Sequence, residues 1–228
     1  MLQNLESKIR PVIIGSFGPP TLACIQSWGE QGYPVGMICI RSEREGHPNS
    51  KYLTDFTTIT SKLLYTETGI KTIKQFLRKF RATGIICISE SMACWLNDNR
   101  RELPEKVAVW LPPNDIINDL LSKEKQVEIA RKVGFNVLPT YLIKNLQSTI
   151  SIPREHFPLC LRPCNPGGIK PCFKVHLIHS SAELKRFIQS FDKINQPIIA
   201  QPFMNMPNLV VHGARTVSGS NIGLQAFL

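Results

Sequence analysis

The stretch FPLCLRPCNPGGIKPCFKVHLIHSSAEL, Phe157–Leu184, changes character several times within its length. Leu159–Arg162 is a short apolar strand that closes on a cation. Burying such a charge unpaired is costly, so Arg162 needs a partner, either the phosphates of a ligand or the carboxylate of a structural salt bridge. Arginine offers phosphates a planar, bidentate fork. The loop Asn165–Lys170 carries Gly167 and Gly168, which let backbone amides approach oxygen anions closely, and Lys170 adds charge. Lys174–Ile178 reads as a second strand, and Ser180 as the cap of an amphipathic helix, Ser181–Phe191.

Two more segments flank this one. SKEKQVEIARKVGFNVLPT, Ser122–Thr140, places Ser122 as N-cap, opens a helix with Lys123, stops it at Gly134 and continues extended to Pro139-Thr140. A strand follows at Thr140–Ile143. PIIAQPFM, Pro197–Met204, is a strand that ends in a polar and aromatic turn, with a further strand at Leu209–Ala214. Taken alone, Lys123 reads as a solvated lysine in a first turn. Strand pairs crossed by helices imply an α+β layer.

In this order and spacing the three segments resemble the ATP-grasp superfamily, which includes biotin carboxylase, carbamoyl phosphate synthetase, and D-alanine and related amino-acid ligases. The resemblance covers about residues 120–228. It implies that Lys123 reaches the phosphates of ATP and that Arg162 bridges the phosphates and the adenine side. The form F-P-x-x-x-R-P is most similar to the carbamoyl phosphate synthetase branch. The loop with Gly167, Gly168 and Lys170 matches the flap over the phosphates. Gln201, Phe203 and Met204 match the hinge that holds adenine, with Leu142, Phe173 and Ile178 as candidate walls, and Asn208 falls near the residue that grips the ribose. Three departures stand out. Ser122 replaces the aspartate that usually precedes the lysine, Gln201 stands where glutamate is usual, and the flap has few glycines and two prolines, Pro166 and Pro171.

The upstream half alternates buried strands with helices. Strands are expected at Pro11–Ser16, Val35–Ile40, Asp55–Thr60, Gly84–Ser89 and Lys106–Leu111. Helices are expected after Pro20, over Ile70–Arg81 and over Glu90–Arg101. Continuous apolar strands separated by helices imply a parallel sheet covered on both faces. The expected fold is therefore α/β: a Rossmann-like pre-ATP-grasp domain followed by the α+β N-terminal part of an ATP-grasp domain. The boundaries are 1–115 for the first, 116–200 for the small ATP-grasp subdomain and 201–228 for the start of the large one, with a hinge near Leu111–Asn118.

Other chemistries are weakened by the residues. Gly15-Ser16-Phe17-Gly18 occupies the position of a dinucleotide phosphate loop. The full G-x-G-x-x-G is missing, however, Pro19 and Pro20 remove amide donors, and Arg41 rather than an acid ends the second strand. A tight turn is the plainer reading, against a nicotinamide-dependent dehydrogenase. His176 and His179, three apart on a strand, point to opposite faces and read as structural. Seven cysteines with no C-x-x-C pair, Cys160, Cys164 and Cys172 included, suit neither a disulfide framework nor a zinc site.

The chain has 228 residues, 43% hydrophobic and 19% charged, which is globular composition. Its net charge of +10 invites nucleic acid, but the cations are spread, with a small cluster at Lys71–Arg81 on the polar face of a helix. No apolar run is long enough to span a membrane and no leader pattern opens the chain, so a cytoplasmic protein is expected. The expected partners are ATP and a small-molecule carboxylate. Neither a membrane nor nucleic acid is expected, and a homo-oligomer stays open.

The family's magnesium ligands are acidic residues well downstream of the hinge, whereas the last acid here is Asp192. No residue is therefore a metal candidate, and Mg2+ would accompany ATP without ligands from this chain. The resemblance implies that ATP converts a carboxylate to an acyl phosphate, which an amine or similar nucleophile then resolves. The substrate is expected near the loops after Ser16 or Ser89, with Glu90 and Ser91 as candidates by topology. The expectation is the front of a longer carboxylate-amine ligase, inactive as this chain alone. The alternative is a natural short form serving as a non-catalytic nucleotide-binding or interaction module.

Overall fold

Val12, Ile13 and Ile14 are fully buried, yet their alternate side chains serve different cores. Val12 and Ile14 join Ile38, Ile40 and Ile85 on one face, and Ile13 joins Val35, Met37 and Cys39 on the other. A strand apolar at every position must be covered on both faces, and this one is. The strands are β1 (Pro11–Gly15), β2 (Val35–Arg41), β3 (Leu53–Thr60), β4 (Gly84–Cys87) and β5 (Ala108–Val109). All pair in parallel, in the order β3-β2-β1-β4-β5. Helix α1 (Pro19–Glu30) contributes Ile25 to one face. The short α2 (Ser61–Leu64), α3 (Glu67–Phe80) and α4 (Glu90–Asp98) cover the other with Leu64, Ile73, Phe76, Leu77, Phe80, Met92, Trp95 and Leu96.

The computed structural model describes residues 9–41, 48–146, 151–165, 169–207, 210–216 and 218–227. The described residues fall into two compact units, one up to Phe135 and one from Asn136, with Asn165 counting with the first. The stretch expected as a hinge carries a helix instead. Pro113 occupies the N-cap position of α5 (Asn114–Leu121), which leads through Ser122 into α6 (Lys123–Lys132). Prolines just outside a helix start it as well as interrupt what precedes it.

The second unit holds a four-stranded antiparallel sheet in the order β6-β9-β7-β8. Its strands are β6 (Tyr141–Ile143), β7 (Leu159–Pro163), β8 (His176–Ile178) and β9 (Ile198–Pro202). Helix α7 (Ser181–Gln189) lies on one face through Leu184 and Ile188, which pack with Ile143, Leu159, Leu161, Ile178, Ile198 and Ala200. The Ser180 hydroxyl accepts from the Glu183 amide at 3.2 Å, and the Glu183 carboxylate accepts from the His179 amide at 2.8 Å. The serine is the helix's N-cap, and the glutamate ties the residue before it to the first turn, which together fix where the helix begins. A hairpin of β10 (Val210–Arg215) and β11 (Asn221–Phe227) forms a separate two-stranded sheet.

Candidate functional site

Register places the candidate residues of the second unit. Arg162 pairs with Ile199 and Cys160 with Gln201 across β7 and β9. Leu142 pairs with Ile199 and Leu177 with Cys160. Residues directly opposite on neighbouring strands share a face, so Leu142, Cys160, Arg162, Leu177, Ile199 and Gln201 lie on the side away from α7. Arg162 and Gln201 are diagonal neighbours, roughly 7–8 Å apart. Ile199, at the centre, is 2% exposed, whereas Arg162 is exposed and has no ion-pair or hydrogen-bond partner among the described residues. Among the described residues no salt bridge holds it. Gln201 is fixed, its Nε2 donating to the Thr140 hydroxyl at 2.9 Å.

Beyond β9 the ladder continues one step, the Phe203 amide donating to the Pro158 carbonyl at 2.8 Å. The side chains that follow are apolar and outward: Phe203 is 45% exposed, Met204 50% and Met206 63%. One sheet face thus presents an exposed guanidinium, an oriented amide and, where that strand ends, exposed apolar surface. Such a set suits a ligand with an anionic end and a flat apolar end. Lys170 is exposed next to Ile169, which is buried in the sheet's core. Gly167, Gly168 and Asn208 lie outside the described residues.

Two of the expected walls belong elsewhere. Ile178 is fully buried beneath α7, and Phe173 packs edge-on against Phe187 and Phe191, with ring centroids 5.3 and 6.1 Å away. Both serve the helix side. Only Leu142 of the three shares the face with Arg162. His176 stacks on Phe187 at 4.4 Å, a packing role. No cluster of three metal-ligating side chains occurs among the described residues. Three neighbours that the sequence motifs do not single out stand here: Thr140, which orients Gln201, Cys160 opposite Gln201, and exposed Met206 just after Met204. The alternation in Leu159–Arg162 already set Cys160 on Arg162's side.

The first unit carries Lys123 at the start of α6, half-buried and with no partner among the described residues. The Ser122 hydroxyl accepts from the Lys125 amide at 3.4 Å, so the serine is the cap that its type predicts. At the C-terminal ends of β1 and β4, where strand order reverses, lie two shallow pockets of about 180 and 230 Å³. Ser16 and Ser89 line both, and Ser91 lines the smaller. Open parallel sheets place ligand crevices at this point. The loop before α1 has Gly18 at the N-cap with no side-chain bond, and prolines in the first turn.

No protein-family model matches the chain. No curated protein matches its sequence. Solved structures do match its fold. An L-amino acid ligase from Bacillus licheniformis superposes over 96% of this chain with a TM-score of 0.67 at 16% identity, using 50% of its own length. This is the ATP-grasp fold. N5-carboxyaminoimidazole synthetase from Staphylococcus aureus matches 95% of this chain, and 53% of its own, with a TM-score of 0.60 and 16% identity. The biotin carboxylase domain of 2-oxoglutarate carboxylase from Hydrogenobacter thermophilus, a dimer in complex with MgADP, ADP and bicarbonate, matches 88% and 46%, with a TM-score of 0.60 and 14% identity. The chain spans about half the length of these ATP-grasp structures.

Proposed function

We propose that this chain is the ATP-binding portion of an ATP-dependent carboxylate-amine, or related, ligase that works through an acyl phosphate. The observation that carries the reading is the exposed Arg162, without a partner among the described residues, on the same sheet face as Gln201 and close in register to the strand end that leads into exposed Phe203 and Met204. In this assignment Arg162, Lys123 and Lys170 neutralise phosphate oxygens. Gln201 offers a hydrogen bond to the base, Phe203 and Met204 flank it, the amides of Gly167 and Gly168 cover the phosphates, and Asn208 meets the ribose. The division into 1–115, 116–200 and 201–228 belongs to the same proposal, as does a cytoplasmic location.

A carboxylate oxygen attacks the γ-phosphorus of ATP, the bond to the bridging oxygen breaks, and ADP leaves. An amine then attacks the acyl carbon, phosphate departs, and the amine's proton goes to solvent. Cations that bind the migrating phosphoryl group more tightly as charge shifts toward the leaving oxygen lower the barrier. Magnesium, present with ADP in the Hydrogenobacter domain, would supply further charge on the phosphates, and we assign it no ligand among the described residues. The crevice with Ser16, Ser89 and Ser91 suits the carboxylate substrate, with Glu90 beside it.

Photolabelling with 8-azido-ATP tests the placement. The label is expected in the peptide spanning Gln201–Met206 and is competed away by ATP. A label confined to the loop Gly15–Gly18 would move the nucleotide to the dinucleotide-type position and sink the assignment.

A further inference from the structure

The cationic helix α3 is not used by the proposed ligase chemistry. Its C-terminal end opens onto a groove of about 590 Å³, floored by Leu77, Ala82 and Val107 and edged by Arg78, Arg81 and Lys106, with Glu105 as the one acid of its lining. Thr83 and Lys106 just precede β4 and β5. The groove thus lies at the N-terminal ends of the parallel strands, the opposite end from the crevice of Ser16 and Ser89.

Arg78, Arg81 and Lys106 are all exposed, and none has an ion-pair or hydrogen-bond partner for its side chain among the described residues. Two other cations of the same helix are paired, Lys74 with Glu102 at 3.5 Å and Lys79 with Asp55 at 3.0 Å. A neighbouring groove shares Arg78 but is balanced by Glu67, Asp98 and Glu102. Unmatched charge is thus concentrated at one end of α3. Arg10 extends the patch: its Nε donates to the Phe80 carbonyl at 2.7 Å, and its guanidinium lies 4.6 Å from the centre of the Phe80 ring. Arg81 also holds a left-handed backbone, φ 55°, as the cap of α3, a position that favours glycine.

We infer that this groove binds a small amphiphilic oxyanion, a phosphate or carboxylate monoester-sized head carried on an apolar body. Guanidinium forks take such a head bidentately, and the apolar floor takes the body. The volume falls in the range of small-molecule sites, roughly 300–1,000 Å³. The groove shares no lining residue with the nucleotide assignment.

The probe is 1-naphthyl phosphate, titrated by calorimetry beside 1-naphthol and inorganic phosphate. Saturable binding of the phosphate ester, weaker binding of both halves, and a loss of at least about tenfold in Arg81→Gly and in Lys106→Gln is the expected result. Arg81→Gly suits the backbone angle, so the fold should survive, and Lys106→Gln gives a second variant at an exposed position. The loss in both groove variants should persist with Mg-ATP in excess, present to occupy the face of Arg162. No saturable binding, or equal affinity in both groove variants, would overturn the site. An oligonucleotide bound more tightly than the ester and lost in the same variants would overturn the small-molecule assignment.

Discussion

Arg162 concentrates the functional argument in one side chain. It ends a strand whose apolar residues, Leu159 and Leu161, are fully buried, while it is itself exposed and has no partner among the described residues. The sequence shows the charge at the end of an apolar run, but only the register shows which face it takes. Replacing it by lysine keeps one charge and loses the planar fork, so affinity for ATP should fall part-way between wild type and Arg162→Ala; equal affinity of the lysine variant and wild type would argue against a bidentate contact. Gln201 is set by a residue 61 positions away, Thr140, whose hydroxyl accepts its Nε2. No local pattern announces such a pair. Thr140→Val removes the acceptor, and a stability loss of about 1 kcal/mol is expected in urea denaturation; no change would mean that water replaces the bond without cost.

At the scale of elements, strands were read best where every residue is apolar. Val12–Ile14 and Val35–Ile40 can only be doubly covered strands, and β1 and β2 follow those limits closely. β5 is just Ala108–Val109, shorter than the apolar run around it, because only Gly84 and Ile85 of β4 pair with it. The hinge expected at 111–118 became α5 because Pro112-Pro113 reads equally as a break and as a helix start. Phe173 and Ile178, expected as walls, lie on the side of α7, Ile178 through its register opposite Leu159 and Phe173 through its contacts with Phe187 and Phe191. Helix contacts also constrain Gly69. A Cβ there would lie 2.0 Å from the Leu63 carbonyl oxygen of α2. Gly69→Ala must therefore push α2 and α3 apart, and should destabilise by about 1–3 kcal/mol; an unchanged melting temperature would show that the pair packs more loosely. Ser180→Ala removes the cap of α7 and should cost about 1 kcal/mol, read in the same assay, with an unchanged value arguing against the serine cap.

Across the whole molecule the charge is uneven. From residue 136 onward the chain has nine lysines and arginines against three acids, so the unit with the candidate nucleotide face holds more than half of the net +10. A polyphosphate ligand fits that imbalance. Among the described residues no helix is long and apolar enough to cross a membrane. Burial pushes the thiols of Cys24, Cys87 and Cys94 up from their ordinary range, with nearby acids adding to the effect at Cys94. The unfolded chain therefore ionises first, near pH ~8.5, and binds fewer protons than the folded one as pH rises further. Stability should fall as pH rises above about 8, and the fall should be shallower when the three are alanine; an identical slope would place the titration elsewhere. The most direct test of the account is a calorimetric titration of the chain with Mg-ATP, beside the Lys123→Ala, Arg162→Ala double variant. The account predicts saturable binding by the wild type and a loss of at least about a hundredfold in a variant that still melts cooperatively. Absent binding by a folded wild type, or undiminished binding by the variant, would contradict it.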